Sequence, residues 1–469
     1  MSESDVVVFV TVAAVRIQTW LTRTPSLKLL RGASHALRDS TSVERITRFL
    51  EETGLAATIA SDAGDVDGVV VLRVAPGHDP AAIVDAVVTD LGRELPGVEW
   101  EAWWTAADGY LEAYRKAVAE NDASVGRRSF YPVLADLPAA QSCSGCRCEP
   151  AGDRLDDGQR IGADCSVRAG AGKLRKGEAT TFEELARCGG LVAGRPQRAV
   201  GRQLSRNHLA TIAADGNRIG ELFDLIADHG NDDLRRTCVA SLDAATCETV
   251  QQVTRALSKG ANVDAVIGHY TGGDDVLIGV PAPLAWQVVN LLIATFEAEI
   301  RVRIRGGIEV PAEIDRVLGG VSLGVGVTFA HASHPIAATN RRAHEAMAQA
   351  KNEVRGRKGA VSWIDLTAED ELPKGRHLTR AELSDLIGGG NPGGRRDILD
   401  LPASARASLA ELLRNRRSSP GDTSQGVRQW ADRTGRPELA ARAEAAKLDM
   451  FSDTLSLARW WPELGGGVV

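Results

Sequence analysis

The first 135 residues alternate between short apolar runs and stretches with helical spacing. Val6–Val15 is rich in β-branched residues and a second valine-rich run covers Val69–Val74, a pattern typical of buried strands. Helices are expected around Thr41–Glu52 and from Pro80 to Leu95. This part of the chain is therefore predicted to form one α/β unit.

From His208 onward the pattern is more regular. An apolar run that ends at Asp215 predicts a strand, and apolar residues then recur at i, i+3, i+4 and i+7 from Ile219, as on one face of a helix. After a second helix, two apolar strands flank a Gly-Gly turn at Gly272, which predicts a hairpin. A helix over Ala285–Glu299, a strand, a helix and a last strand follow. This order is that of a ferredoxin-like or palm domain.

Composition narrows the functional classes. A chain of 469 residues predicts about three domains. With 43% hydrophobic and 25% charged residues it is in the globular range, and its net charge is −7. Nucleic-acid binding over the whole surface is therefore not expected, because phosphate binding needs a basic footprint. A nucleic-acid partner would meet local patches or arrive with another protein.

No export or membrane segment is predicted. Val6–Val15 has ten residues and an acidic flank, MSESD, whereas a spanning helix needs about 20 apolar residues and a signal peptide has a basic flank. A cytoplasmic location is expected, so the seven cysteines should be thiols or metal ligands.

Four cysteines cluster in a polar segment that is too poor in apolar residues to build a core. Cys143, Cys146 and Cys148 are followed by sixteen residues and then Cys165. Zinc in a closed four-coordinate site is predicted to stabilise the fold of this segment, with free thiols as the alternative. Cys238 and Cys247 lie at helical positions and are expected to be small buried residues.

The main candidate site consists of Asp215, Asp274 and Asp275. Asp215 ends a strand and the other two begin the outgoing arm of the hairpin, so their carboxylates should converge at one sheet edge. Because successive strand residues face opposite sides, only one of the pair is expected to point straight at Asp215. Such ligands suit Mg²⁺, and two ions could serve a phosphoryl transfer. The alternative is a solvated surface turn.

Several segments resemble the large subunit of type III CRISPR effector complexes. HLATIAADGNRIGELFD is similar to its strand–helix junction, HYTGGDDVLIGVP to its GGDD hairpin, and GGVSLGVGVTFAHASHPIAATNRRAHEAMAQAKN to the following strand and helix. TPSLKLLRGASHAL resembles the first, non-catalytic palm of that subunit. The resemblance implies an α/β (α+β) fold with two ferredoxin-like palms, a zinc-finger insert and a C-terminal helical domain. The expected boundaries are 1–137, 138–200, 201–368 and 369–469.

The resemblance also implies an activity and partners. The second palm of this family joins ATP by 3′–5′ linkage into cyclic oligoadenylate, using Mg²⁺ or Mn²⁺. Asp215, Asp274 and Asp275 would be the catalytic metal ligands. Other complex subunits would be partners, and guide and target RNA would be met largely through them. The residues implied to bind the nucleotide are Gly216, Gly272, Gly273, Ser322 and Lys351, and a core role is the alternative for Ser322.

The sequence departs from the family pattern at three places. Asn217 stands where many members have a second aspartate. No HD nuclease is expected, and the lone His78-Asp79 pair is interpreted as a turn before a helix. In the finger, Gly162 occupies a ligand position, so Cys148 or the distant Cys188 would have to supply the missing thiolate beside the other three.

The sequence leaves two alternative functions, and it allows two interpretations each for a basic segment and for the C-terminal tryptophans. A GGDEF-type dinucleotide cyclase and an inactive scaffold subunit are the alternative functions. The basic segment Arg341–Lys358 is either a solvated helix face or a funnel for the triphosphate. Within about Leu401 to Leu464, the C-terminal tryptophans are either partner anchors or core: Trp430, Trp460 and Trp461.

Overall fold

The computed structural model describes residues 7–64, 66–119, 128–132, 140–155, 158–172, 177–192, 207–258, 263–414 and 420–461. The predicted boundaries after residues 137 and 200 lie outside these residues. Among the helices described, none is both long and apolar enough to cross a lipid bilayer.

The N-terminal unit is a five-stranded antiparallel sheet with the order β2-β3-β1-β4-β5. Its first four strands have the ferredoxin-like order that the sequence predicts. The strands are β1 Val7–Val15, β2 Ala57–Ile59, β3 Val69–Val74, β4 Glu99–Ala107 and β5 Arg128–Phe130. The helices are α1 Ile17–Leu21, α2 Leu27–Thr41, α3 Val43–Thr53, α4 Pro80–Glu94 and α5 Tyr110–Ala119.

Side-chain caps explain where three of these helices begin. The hydroxyl groups of Ser26 and Ser42 accept hydrogen bonds from backbone amides in the first turns of α2 and α3. Asp79 accepts the amide of Ala81 at 3.0 Å, and Pro80 occupies the first turn of α4. The His78-Asp79 pair is therefore a turn before a helix, as predicted.

The segment between the two sheets is small and packs on α2. It contains the short strands β6 Asp153–Arg154 and β7 Arg160–Ile161, followed by α6 Ala163–Ala171 and α7 Phe182–Val192. Gly32 in α2 marks the contact, since a Cβ there would lie 1.8 Å from the carbonyl oxygen of Arg168 in α6. Only glycine permits this approach.

The second sheet has six strands in the order β13-β12-β11-β8-β10-β9. Its first four strands in sequence repeat the ferredoxin-like order of the N-terminal unit, which confirms two palm-like units. The strands are β8 His208–Asn217, β9 Ile267–Gly272, β10 Asp275–Pro281, β11 Ser322–His331, β12 Ala360–Asp365 and β13 Leu378–Thr379. The helices are α8 Ile219–Asp228, α9 Asp232–Ser258, α10 Ala285–Gly307, α11 Ala312–Leu318 and α12 Ile336–Glu353.

The two faces of the second sheet are buried against different layers. One face packs with α9 and α10 in a large apolar core that includes Trp286 and Phe296. On the other face, Ala213, Tyr270 and Leu277 belong to the same buried cluster as the core of the first palm. The two palms therefore share an apolar interface, and the candidate aspartates lie at one edge of it.

The C-terminal helices are α13 Arg380–Ile387, α14 Arg395–Leu399, α15 Ala403–Arg414, α16 Pro420–Arg433, α17 Pro437–Arg442 and α18 Leu448–Arg459. The domain boundary after residue 368 stays a prediction. Strand β13 joins the second sheet, and Leu378, Leu383 and Leu386 are buried in its core. A separate apolar cluster begins only near Ile398.

The three C-terminal tryptophans are directed inward. Trp430 is buried in the C-terminal cluster. Trp460 is 4% exposed, stacks on Phe329 and donates to Asp365 at 2.8 Å, and Trp461 packs against the core of the second palm. Of the two predicted roles, core packing is the one that these contacts support.

Candidate functional site

Strand register brings the candidate aspartates together. Ala214 of β8 pairs with Val276 of β10, and Asp215 pairs with Gly324 of β11. One residue beyond the first pair, Asp275 is thus opposite Asp215, and residues opposite each other share a face. Asp274 also reaches Asp215, because the two carboxyl groups can share a hydrogen bond when one is protonated. Asp274, which lies in the turn, is thus in hydrogen-bond reach of Asp215, whereas Asp275 interacts with it through charge. That only one of the pair points straight at Asp215 stays a prediction.

Gly216 makes room for this arrangement. A Cβ at position 216 would lie 2.6 Å from a carboxylate oxygen of Asp274 and 2.4 Å from Ile219. Any side chain there would push the hairpin away from β8. The predicted role of Gly216 in nucleotide binding stays a prediction, whereas its role in close packing follows from these distances.

Lys351 supplies the positive charge beside the aspartates. Its ammonium group donates hydrogen bonds to the carboxylate of Asp215 and, at 3.0 Å, to the carbonyl oxygen of Gly216. The helix that carries it lies close to β11, since a Cβ at Gly326 would be 1.9 Å from the carbonyl oxygen of Ala343. This contact between backbones sets the position of Lys351.

Burial and like charge make the aspartates hard to ionise. Burial, followed by the charge of Asp215, raises the pKa of Asp274 to about 7. The same two causes raise the pKa of Asp275 to about 6, although Lys351 opposes them. Lys351 pairs directly with Asp215, and its charge also acts on Asp275. Carboxylate oxygens are the ligands that hard divalent cations such as Mg²⁺ and Mn²⁺ take, and a cation shared by the three aspartates stays a prediction.

Two side chains of helix α9 form hydrogen bonds with the backbone of Gly273 in the hairpin turn. The amide of Gly273 donates to Asp243 at 3.3 Å, and its carbonyl oxygen accepts from Thr246 at 2.6 Å. Gly273 has a φ of 59°, and a Cβ at Gly272 would lie 2.8 Å from the hydroxyl of Tyr270. Sequence reasoning missed Asp243 and Thr246, whose i, i+3 spacing on a helix before the hairpin was the available signal.

Ser322 and Asn217 are buried and engaged with protein groups. The hydroxyl of Ser322, which is 3% exposed, donates to Glu297, and Glu297 is also paired with Arg380 at 2.9 Å. Asn217 donates to the carbonyl oxygen of Lys358 at 2.7 Å. For Ser322 these contacts support the core role, and proximity to a base stays a prediction.

A second candidate site is the cysteine cluster. The ligand atoms of Cys143, Cys146, Glu149 and Cys165 all lie within 4.8 Å of one another. A hydrogen bond from Cys165 lowers the pKa of the Cys146 thiol. Cys148 is exposed and outside the group. Three sulfurs with one carboxylate are compatible with a zinc ion, and Cys148 as a ligand stays a prediction.

The chain matches known proteins in sequence and in fold. The family described as Cas10/Cmr2, second palm domain, matches residues 208–361. A Csm1–Csm4 cassette in complex with cA4 superposes with a TM-score of 0.58 at 14% identity, covering 98% of this chain and 70% of that chain. Csm1 from T. onnurineus gives 0.57 at 16% identity, and a Csm1–Csm4 cassette with AMPPNP gives 0.55 at 16%, with the same coverage of both chains. No curated protein sequence matches the chain.

Fold and site together define a protein with two palms, the second of which carries an acidic hairpin. Residues 208–361 match the Cas10/Cmr2 second palm domain family, and the described fold is similar to that of Csm1. The predicted resemblance to the large subunit of type III CRISPR complexes is confirmed.

Proposed function

We propose that the second palm is a metal-dependent nucleotidyltransferase that condenses ATP into cyclic oligoadenylate. The observation that carries the proposal is the convergence of Asp215, Asp274 and Asp275 beside Lys351 in a Cas10/Cmr2-type palm. Similar folds are known with cA4 and with AMPPNP, which supports adenine nucleotides as the substrate class. In this reaction the 3′-hydroxyl of one ATP attacks the α-phosphate of another, and pyrophosphate leaves.

The three aspartates would hold Mg²⁺ or Mn²⁺, which when bound neutralises the triphosphate and acidifies the attacking hydroxyl. Asp215 is held by Lys351 on one side, and Asp275 is fixed by its place in β10 opposite β8. Asp274 is set by the turn that Asp243 and Thr246 hold. The chain thus contributes positioned carboxylates, and positioning is the larger part of catalysis in phosphoryl transfer.

Lys351 and the turn after α12 would receive the phosphates. Beyond Lys351, the cations of Arg355, Arg357 and Lys358 are exposed. They lie on the segment that Asn217 ties to the end of β8. This arrangement supports the funnel interpretation of the basic segment, because exposed cations beside a site attract a polyanion.

We infer that the chain works within a type III CRISPR effector complex. Similar folds occur in Csm1–Csm4 cassettes, so a Csm4-like subunit is the first expected partner. With a net charge of −7, guide and target RNA would be met largely through more basic subunits.

A scaffold subunit with weak catalysis is the second candidate. Asn217 favours it, because the amide of Asn217 is committed to the carbonyl of Lys358 and offers no carboxylate at the position where many family members have one. The two functions differ in whether ATP is consumed.

The test is incubation of the purified chain, alone and in its reconstituted complex with target RNA, with ATP and Mg²⁺ or Mn²⁺. Products are identified by mass spectrometry. We expect oligoadenylate from the wild type and none from Asp274→Asn/Asp275→Asn. Asp370→Asn, which changes an exposed aspartate, is the matched control. Absence of product in the assembled complex would favour the scaffold, and cyclic dinucleotide from GTP would favour the GGDEF-like alternative.

A further inference from the structure

We propose that Glu149 is the fourth metal ligand of the cysteine cluster, so that the site is Cys₃Glu with a carboxylate in place of a thiolate. The three sulfurs belong to Cys143, Cys146 and Cys165. This ligand set is independent of the activity proposed for the second palm.

The four donor atoms already have the spacing of one coordination sphere. They lie within 4.8 Å of one another, and Glu149 is 3.6 Å from the sulfur of Cys146. A tetrahedral zinc ion with three sulfurs and one oxygen has edges of about 3.5–3.8 Å. A small contraction would therefore complete the site. All three cysteines are buried, so a bound ion would be enclosed.

The carboxylate of Glu149 occupies the space that a ligand side chain at position 162 would need. Gly162 stands three residues before Cys165, just as Cys143 stands three residues before Cys146. A Cβ at position 162 would lie 2.2 Å from the carboxylate carbon of Glu149 and 2.6 Å from its Oε1 atom. A side chain at 162 and the carboxylate in its present place exclude each other. Glu149 thus fills the space in which the first ligand of a second Cys-x-x-Cys pair would lie.

Backbone amides hold the sulfurs and the carboxylate in place. The amides of Gly145 and Cys148 donate to the sulfurs of Cys143 and Cys146 at 3.3 and 3.4 Å. The amide of Cys165 donates to Glu149 at 3.2 Å. Such outer contacts orient ligands and support their anionic form.

The two other cysteines offered by the sequence are engaged elsewhere. Cys148 is exposed and its thiol donates to the carbonyl oxygen of Cys146 at 3.1 Å. Cys188 lies in α7, where its thiol donates to the carbonyl oxygen of Glu184 at 3.2 Å. Neither belongs to the cluster.

Glu149 also accepts the amides of Asp164 and Cys165 at the start of α6, so the experiment must separate a helix cap from a ligand. Four full-length proteins are compared: wild type, Glu149→Ala, Cys148→Ser and the exchange variant Glu149→Ala/Gly162→Cys. Zinc content is measured by mass spectrometry after purification under reducing conditions. Zinc affinity is measured by chelator competition, and the number of thiolates by the charge-transfer bands of the Co²⁺-substituted proteins.

We expect one zinc per chain in the wild type, with a three-thiolate Co²⁺ spectrum. Glu149→Ala should bind zinc more than about 100-fold more weakly, since even loss of an outer-shell partner costs 10–100-fold. Cys148→Ser should match the wild type, and the exchange variant should bind zinc with a four-thiolate spectrum. If Glu149→Ala does not fold, recovery of fold and zinc in the exchange variant still supports the proposal. A four-thiolate wild-type spectrum, or zinc affinity lost in Cys148→Ser but kept in Glu149→Ala, overturns it, as does wild-type protein without zinc.

Discussion

The side-chain amide of Asn217 donates a hydrogen bond to the backbone carbonyl of Lys358 over 2.7 Å. Asn217 is 1% exposed at the end of β8, two residues after Asp215, and Lys358 ends the basic turn that follows α12. The bond therefore ties that turn to the strand that carries the first aspartate. An aspartate at position 217 could not donate it, so asparagine here has a structural role.

Asn217→Asp is expected to destabilise the chain and not to raise its activity. The variant loses a buried donor and places a carboxylate against a carbonyl oxygen, which costs about 1–3 kcal/mol. Urea unfolding measures the loss, and the rate of ATP condensation is followed in parallel. Asn352→Asp, at an exposed position of α12, controls for the added charge. A more active variant of unchanged stability would show that position 217 serves as a metal ligand.

Magnesium should stabilise the wild type through the aspartates. The hairpin carboxyls Asp274 and Asp275 lie close enough to Asp215 for its charge to raise their pKa values. A cation that these groups bind only in the folded state adds stability, about 2.7 kcal/mol at 100 times its Kd. We expect Mg²⁺ to raise the melting temperature of the wild type and of Asp370→Asn. Asp274→Asn/Asp275→Asn should show no such rise, and in EDTA it should melt no lower than the wild type because repulsion is relieved. An equal Mg²⁺ response in that variant would place the cation elsewhere.

Gly326→Ala is expected to destabilise the chain by displacing α12, without changing any of the three aspartates. Its methyl group would meet the carbonyl oxygen of Ala343 at 1.9 Å, so α12 must move and Lys351 moves with it. Overpacking of this kind costs about 1–3 kcal/mol. Gly220→Ala in α8 is the matched control, because a Cβ at position 220 has no neighbour within 4 Å. This variant should be neutral or stabilising by up to about 1 kcal/mol. Equal stability of the two variants would contradict this account of how α12 is positioned.

His269 should make folding sensitive to mild acid. Burial, with a contribution from Arg31, lowers the pKa of His269 to about 3, whereas an unfolded histidine titrates near 6.5. Between these values the unfolded chain binds more protons, so stability present above pH 6.5 is lost as the pH falls. The ring packs edge-on to Phe182 and close to Gly279. Between pH 7 and 5 the wild type should lose roughly 2 kcal/mol more than His269→Leu. Parallel pH profiles of the two proteins would contradict the prediction.

The sequence-based predictions succeeded where one pattern determines one element. Strand Val69–Val74 has the predicted bounds, the helix from Pro80 ends one residue early, and the hairpin forms at Gly272. Periodicity and turn chemistry decide such elements locally. The convergence of Asp215 with the hairpin followed from strand order, which the palm arrangement supplies.

The predictions failed where tertiary contacts decide. Glu149 has no spacing rule that marks it as a ligand, since its place depends on the space left at Gly162. Strand β13, which joins the second sheet beyond residue 368, has only two residues, too few for a periodic signal. The i, i+3 spacing of Asp243 and Thr246 can be read from the sequence, but their contact with a turn about 30 residues further along the chain is visible only in the folded structure.

Trp460 should fasten the C-terminal helices to the second palm. Its ring stacks on Phe329 and its N–H group donates to Asp365 at 2.8 Å, where Arg459 also pairs at 3.0 Å. Trp460→Ala removes the stacking and is expected to cost about 3–5 kcal/mol. Trp460→Phe keeps an aromatic ring but loses the donor and part of the ring volume, so it should cost less, about 1–3 kcal/mol. Urea unfolding of both variants is compared with pull-down of a Csm4-like partner at a temperature where both remain folded. Partner binding should survive in both, because Trp460 is 4% exposed in the folded chain. If Trp460→Ala keeps wild-type stability and loses the partner, the tryptophan is an interface anchor, and its packing against Phe329 is not what holds these helices in place.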